Sequence, residues 1–527
     1  MTRALRLLPF ITVAAVLALA PAARAAKLQW SSCGAPAVKT VTCDDYQVPR
    51  DYGDPAGPQF TIHVAKSPAT DPAHRIGSLF LNFGGPGAPM ALYLEVLGPD
   101  LFPELNKRFD LIGVDPRGVG QSTPSLDCVA DQPSLGIYSQ PFTTPFTADR
   151  NVLIGRAQRY INRCIDLNPG VLPYVSTANV ARDFDAIRAA IGERKLNYLG
   201  FSYGTFLGAT YATLFPTHYR AMVLDGPVDA TRYINDPIEN ASEQTAGFER
   251  ALGRFLQACA AHQDRCHGFG GDDPWSAFDA LAAKLDQTPL PAAGYASDPR
   301  PVNGDDVRAA ASSELYSTKR WDALAAALAA AQAGDGSLIR RLVDEDFYER
   351  DPDTGAYDPL SDRFFLITAA EQHYPRAVGL FLHDGAQSWS QNEHFWFNNG
   401  YVELTSALYP IRAKDAFDGP FRIPKSSPTP LVVATTYDPA TPYRGAVRLA
   451  DDLGNARLLT MDGDGHTAYQ TGSPDCVDTG IETYLATRKL PPAGTECHQA
   501  PPFATPAAPQ TLSATTLGRL PFPPYMR

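Results

Sequence analysis

Beyond residue 26 the sequence has no run approaching the roughly 18 consecutive apolar residues that a membrane-crossing helix needs. It has no surplus of positive charge either: 45 Lys and Arg stand against 57 Asp and Glu, a formal net charge of −12. Such a balance repels nucleic acid and anionic lipid, so neither is an expected partner. None of the 8 cysteines stands in a Cys-x-x-Cys spacing, which removes the usual zinc and redox motifs. No internal repeat is visible, and the reading calls for no metal and no cofactor.

What is present begins with a targeting segment. Arg3 and Arg6 precede an apolar run from Leu7 to Ala20, and Ala23-Arg24-Ala25 follows as a small-x-small cleavage site. The expectation is a signal peptide over residues 1–25 and a secreted or periplasmic mature protein that does not stay in the membrane. A retained anchor fits less well, because the apolar run is short and no stop-transfer pattern follows. The cysteines form four local couples, Cys33 with Cys43, Cys128 with Cys164, Cys259 with Cys266 and Cys476 with Cys497. Their even number suits disulfides in an oxidising compartment; proximity favours this pairing without establishing it.

At 527 residues the chain has room for a large core with an insertion, or for two domains. Segments 60–65, 78–82, 110–115, 196–201 and 221–225 read as strands, and 181–191 and 203–214 as helices. Their alternation predicts a mostly parallel, doubly wound α/β sheet. The pattern then stops between Gly226 and Leu431, for roughly 200 residues where a parallel crossover needs about a dozen. Helical spacing, as in 321–331, and aromatic runs, as in His394-Phe395-Trp396-Phe397, predict an inserted, mainly helical cap. The expected division is a first core part over 26–230, a cap over 231–423, a second core part over 424–500 with strands at 431–435 and 456–461, and a Pro-rich tail over 501–527.

Gly200-Phe201-Ser202-Tyr203-Gly204 lies where a strand ends and a helix begins. A sharp turn there lifts the Ser202 hydroxyl above the sheet edge and crowds the positions two before and two after it, which are glycine. A serine hydroxyl needs a base to take its proton and a carboxylate to orient that base. In a fold of this kind both follow the serine, at the ends of late strands. Asp438 stands just past the strand 431–435. Only His466 and His498 lie beyond it, and His466, which closes Asp462-Gly463-Asp464-Gly465-His466 after the next strand, is the better base. Asp462 and Asp464 compete with Asp438 as the acid but share a tight loop with the base. For the oxyanion, one amide is that of Tyr203 and a second that of Gly84 or Gly85 in Asn82-Phe83-Gly84-Gly85-Pro86-Gly87. Arg117, in Asp115-Pro116-Arg117-Gly118, is read as a structural residue that pairs with a carboxylate.

With G-G-P-G, D-P-R-G-V-G-Q-S, G-F-S-Y-G-T, V-L-D-G-P-V-D, Y-D-P-A-T-P-Y and G-D-G-H in this order, the chain resembles the secreted bacterial tripeptidyl aminopeptidases. These are α/β-hydrolase-fold relatives of the prolyl aminopeptidases. The resemblance implies Ser202, Asp438 and His466 as a triad, Gly85 and Tyr203 at the oxyanion hole, and release of short peptides, often tripeptides, from substrates with a free amino terminus. A free amine calls for carboxylates at a set distance from the serine, and Glu239 and Glu243, four apart at the start of the cap, are the candidates. A prolyl aminopeptidase, a carboxylesterase or lipase of the same fold, and a catalytically silent binding protein are the competing readings.

Overall fold

In the computed structural model, residues 27–503 are described, apart from Ala35; the expected signal peptide and nearly all of the Pro-rich tail lie outside them. Segments 77–82 and 196–201 are buried at every position, the pattern of strands covered on both faces. They are the middle of one ten-stranded sheet. Its strands are β1 (Ser31–Ser32), β2 (Thr42–Pro49), β3 (Gln59–Ser67), β4 (Gly77–Asn82), β5 (Phe109–Val114), β6 (Leu196–Phe201), β7 (Tyr219–Asp225), β8 (Leu431–Tyr437), β9 (Arg457–Asp464) and β10 (Glu496–His498). The spatial order is β1-β2-β3-β5-β4-β6-β7-β8-β9-β10. β1, β2, β3 and β5 pair antiparallel, and every pair from β5–β4 to β9–β10 is parallel.

Three strands escaped the sequence reading: β1 has only two residues. β2 carries Asp44 and Asp45 and alternates between buried and open positions, so it lacks the apolar signature of the inner strands. β10 has only three residues. The Cys476–Cys497 disulfide holds it beside β9; Cys33–Cys43, Cys128–Cys164 and Cys259–Cys266 are the other three.

Between β7 and β8 the described chain is mainly helical, the short helix Ala230–Asn235 leading into the long helix Pro237–Ala261. This insertion has its own apolar cluster, built around Phe248, Phe255, Trp321 and Trp396, beside the two clusters that sandwich the sheet. Arg117 does pair as expected: its guanidinium meets the Asp183 carboxylate at 2.6 and 2.7 Å with both side chains buried, which fixes the loop after β5.

Candidate active site

β6 ends at Phe201 and the helix Tyr203–Leu214 begins one residue later, so Ser202 alone must turn the chain. It does so at φ 53° and ψ −127°, a conformation that costs an L-residue roughly 1–3 kcal/mol. The surroundings hold it there: the Ser202 N–H donates to the Asp225 carbonyl at 3.0 Å and the Thr205 hydroxyl donates to the Ser202 carbonyl at 2.6 Å. The loop after β4 presses against the same turn. A Cβ on Gly84, at φ 91°, would lie 2.9 Å from the Tyr203 nitrogen, so only glycine permits the approach. Of the two candidate donors in that loop, the Gly84 N–H is engaged by the Asn82 side chain at 3.0 Å, while Gly85 lines the cavity at Ser202.

Asp438 lies just past the end of β8, where Ala440 and Thr441 donate their N–H groups to one carboxylate oxygen at 2.9 and 2.8 Å. The Thr441 hydroxyl, at 2.9 Å, and the Thr467 N–H, at 3.2 Å, donate to the other. His466 follows β9 and brings Nδ1 to 2.8 and 3.0 Å of the same carboxylate, both side chains buried. A proton on Nδ1, assigned from this contact, leaves Nε2 as the basic nitrogen. The competitors are engaged elsewhere. Asp464 pairs with Arg254, and His498 lies exposed beside Asp462 at 3.4 Å.

The imidazole packs against the end of β7, the strand beside β6, since a Cβ on Gly226, at φ 65°, would lie 3.0 Å from His466 Cε1. Asp225 makes this neighbourhood rigid. Its two oxygens accept from the Ala468 and Tyr469 amides at 2.9 and 2.8 Å, and burial pushes its carboxyl up to about 7 despite those bonds. The sequence reading used the V-L-D-G stretch only as part of a resemblance and assigned Asp225 no role. Asp225→Asn places an NH2 against one of the two amides, and we expect a loss of about 2 kcal/mol in denaturant titration. A fall in kcat should accompany it, because the loop bearing His466 loses its anchor; unchanged stability and turnover would refute the role.

The inserted helices also hold the loops that carry Asp438 and His466. The His466 N–H donates to the Tyr316 carbonyl at 2.7 Å, and the Tyr316 ring stands edge-on to the imidazole at 5.6 Å. Gln244 donates to the Ala440 carbonyl at 2.7 Å. Arg254 forks onto Asp464, two residues before His466, with Nη2 to Oδ2 at 2.9 Å, and stacks 3.6 Å over Tyr437, which precedes Asp438. Arg254→Met should therefore lower kcat/KM about tenfold, near 1.4 kcal/mol. It should also move the acid limb of the pH profile upward, because the Asp464 charge then stands unbalanced beside His466. An unmoved limb would reduce Arg254 to a packing residue.

Ser202, Gly85 and Tyr203 open onto a cavity of about 120 Å³ that Glu243, Tyr374 and Glu403 also line. Glu243 is gripped by Arg232 at 2.7 Å and Arg448 at 2.6 Å; Glu239, exposed and outside the lining, is 3.4 Å from Arg232. Guanidinium groups already balance both carboxylates. Glu403 differs. It is partly buried, its Oε2 is fully enclosed and has no hydrogen-bond partner among the described residues, and its Oε1 meets the Tyr374 hydroxyl only at 3.5 Å. Burial first, and then repulsion from Asp384, hold its carboxyl well above the usual carboxylate range. No local motif marks Glu403 in the sequence; it becomes visible only once the fold shows which helix end faces Ser202.

Residues 79–284 match the α/β hydrolase fold family and residues 408–497 a family described as TAP-like protein. The first span holds Ser202; the second holds Asp438 and His466. Serine protease Hip1 of Mycobacterium tuberculosis is 31% identical over 497 residues, covering 89% of this chain and 91% of that protein. The chain belongs to the α/β-hydrolase family. A carboxylesterase B of M. tuberculosis shares 33% identity with this hydrolase over 488 residues, covering 89% of each chain. A tripeptidyl aminopeptidase of Streptomyces lividans shares 31% over 510 residues, covering 93% of this chain and 90% of its own. No helix among the described residues is long and apolar enough to cross a membrane.

Proposed function

We propose that this hydrolase is an exported serine exopeptidase that releases short peptides, tripeptides foremost, from free amino termini. Ser202 attacks the scissile carbonyl, His466 takes the hydroxyl proton and then gives it to the leaving amine, and Asp438 holds the imidazole and stabilises its charged form. The amides of Gly85 and Tyr203 receive the oxyanion, Tyr203 from the head of a helix whose dipole favours negative charge. Water then attacks the acyl-enzyme by the same route in reverse. Four disulfides and the arginine-led apolar leader in the sequence support a destination outside the cytoplasm.

The observation that carries the peptidase reading is Glu403. An ester needs no buried carboxylate in the serine's cavity, whereas a substrate ammonium supplies the partner this one lacks. The amine-binding role therefore falls to Glu403, while Glu239 and Glu243 are held by Arg232 and Arg448. The esterase reading has its own support in the carboxylesterase B relative. Unblocked tripeptidyl anilides, their N-acetyl counterparts and short acyl esters decide between them. Turnover of the unblocked anilides at least 100-fold above the acetylated ones is expected; inert anilides beside rapidly cleaved esters would discard the peptidase reading.

A further inference from the structure

A second cavity of about 220 Å³ lies beside the catalytic one. Arg156, Arg159 and Arg163 project into it from the helix Arg150–Leu167, three and seven residues apart and so along one face. No Asp or Glu lines this cavity, and none of the three arginines forms an ion pair among the described residues. In a chain of net charge −12, three guanidinium groups without a carboxylate partner give this one cavity a concentrated positive potential. Arg156 has only the Ser139 carbonyl and hydroxyl as acceptors, and burial together with Arg159 weakens its hold on the proton. The acid behind the wall, Asp362, is already engaged: its oxygens accept from the Tyr160 hydroxyl, the Gln132 side chain and the amides of Cys128 and Val129.

The two cavities share Ile137, Tyr138 and Val402 as lining, so they adjoin at these residues. Val402 immediately precedes Glu403. A peptide whose ammonium meets Glu403 therefore has its first side chain closest to the arginines. We propose that this cavity is a carboxylate-binding subsite that takes an Asp or Glu side chain at the substrate's amino-terminal residue, and this rests on the peptidase reading. The volume is below the ~300 Å³ at which pockets for whole small ligands begin, and suits a single side chain. Guanidinium forks match carboxylates in both charge and geometry. Terminal ammonium and side-chain carboxylate would then be read together, by Glu403 on one side and the arginines on the other.

The test compares unblocked tripeptidyl anilides carrying Glu or Gln, and Asp or Asn, at each of the three positions. For the wild-type enzyme we expect kcat/KM about tenfold higher for the acid than for its amide at the first position alone, with the preference shrinking as salt is added. Arg159→Gln and Arg163→Gln, the two less enclosed arginines, should erase the preference while neutral peptides are cleaved at the wild-type rate. Cleavage of neutral peptides with no acid preference at any position would overturn the subsite and leave the peptidase reading intact; a preference confined to another position would overturn the placement. Inert unblocked peptides, beside active esters, would overturn both. Inorganic phosphate serves as the free-anion arm. Arginine-dependent thermal stabilisation by millimolar phosphate, without any acid preference, would assign the cavity to a small anion and overturn the substrate role.

Discussion

Ser202→Ala is expected to lower kcat by about 10⁶, as removal of a serine nucleophile does where the base and the acid depend on it. The loss should come without loss of fold. The strain at φ 53° is a cost that alanine shares, while the backbone bonds from Ser202 to Asp225 and from Thr205 to Ser202 do not involve the hydroxyl. Thermal unfolding of the variant should match that of the parent, and an organophosphonate probe that labels the parent at Ser202 should leave the variant unmodified. Activity within tenfold of the parent, with the fold intact, would move the nucleophile elsewhere. An absence of adduct on folded parent protein would instead favour a silent binding protein built on a hydrolase scaffold.

Glu403→Gln should have the second-largest effect, and its form matters more than its size. Removing one member of a buried, hydrogen-bonded charge pair costs about 2–5 kcal/mol, so kcat/KM for unblocked peptides should fall about 30-fold or more. Ester substrates, which bring no ammonium, should be cleaved as before. The wild-type enzyme offers a check that needs no mutation. With its carboxyl held well above the usual range by burial, Glu403 stays protonated in the empty site at pH values where an ordinary carboxylate is charged, and then holds an ammonium poorly. KM for unblocked peptides should fall as pH rises through that raised value. It should climb again where the substrate's own amine loses its proton, near pH 8. A KM flat across that range, or a loss on Glu403→Gln equal for esters and peptides, would remove Glu403 from amine recognition.

The parts of this molecule that local pattern describes were legible in advance. β6 and the helix after Ser202 have the boundaries the sequence indicates, because a strand buried on both faces and a Gly-flanked turn leave a continuous apolar signature. The same logic led to Asp438 and His466, which the structure brings into contact across 28 residues. Contacts that depend on long-range packing were not legible. Asp225 is one aspartate among many until two amides from the loop after β9 converge on it. Arg254 and Tyr316 are ordinary helix and loop residues until the insertion folds back onto His466. Glu239 and Glu243 are the converse case. Their four-residue spacing was visible, but Arg232 and Arg448, which occupy them, come from elsewhere in the fold.

The Tyr316 carbonyl, which receives the His466 N–H, belongs to the insertion and not to the sheet. Chemistry and substrate choice are therefore not separable modules in this chain. A chimera that keeps the sheet and imports another hydrolase's insertion discards an acceptor and a guanidinium on which the general base leans. Such a graft should fail at turnover before it fails at binding.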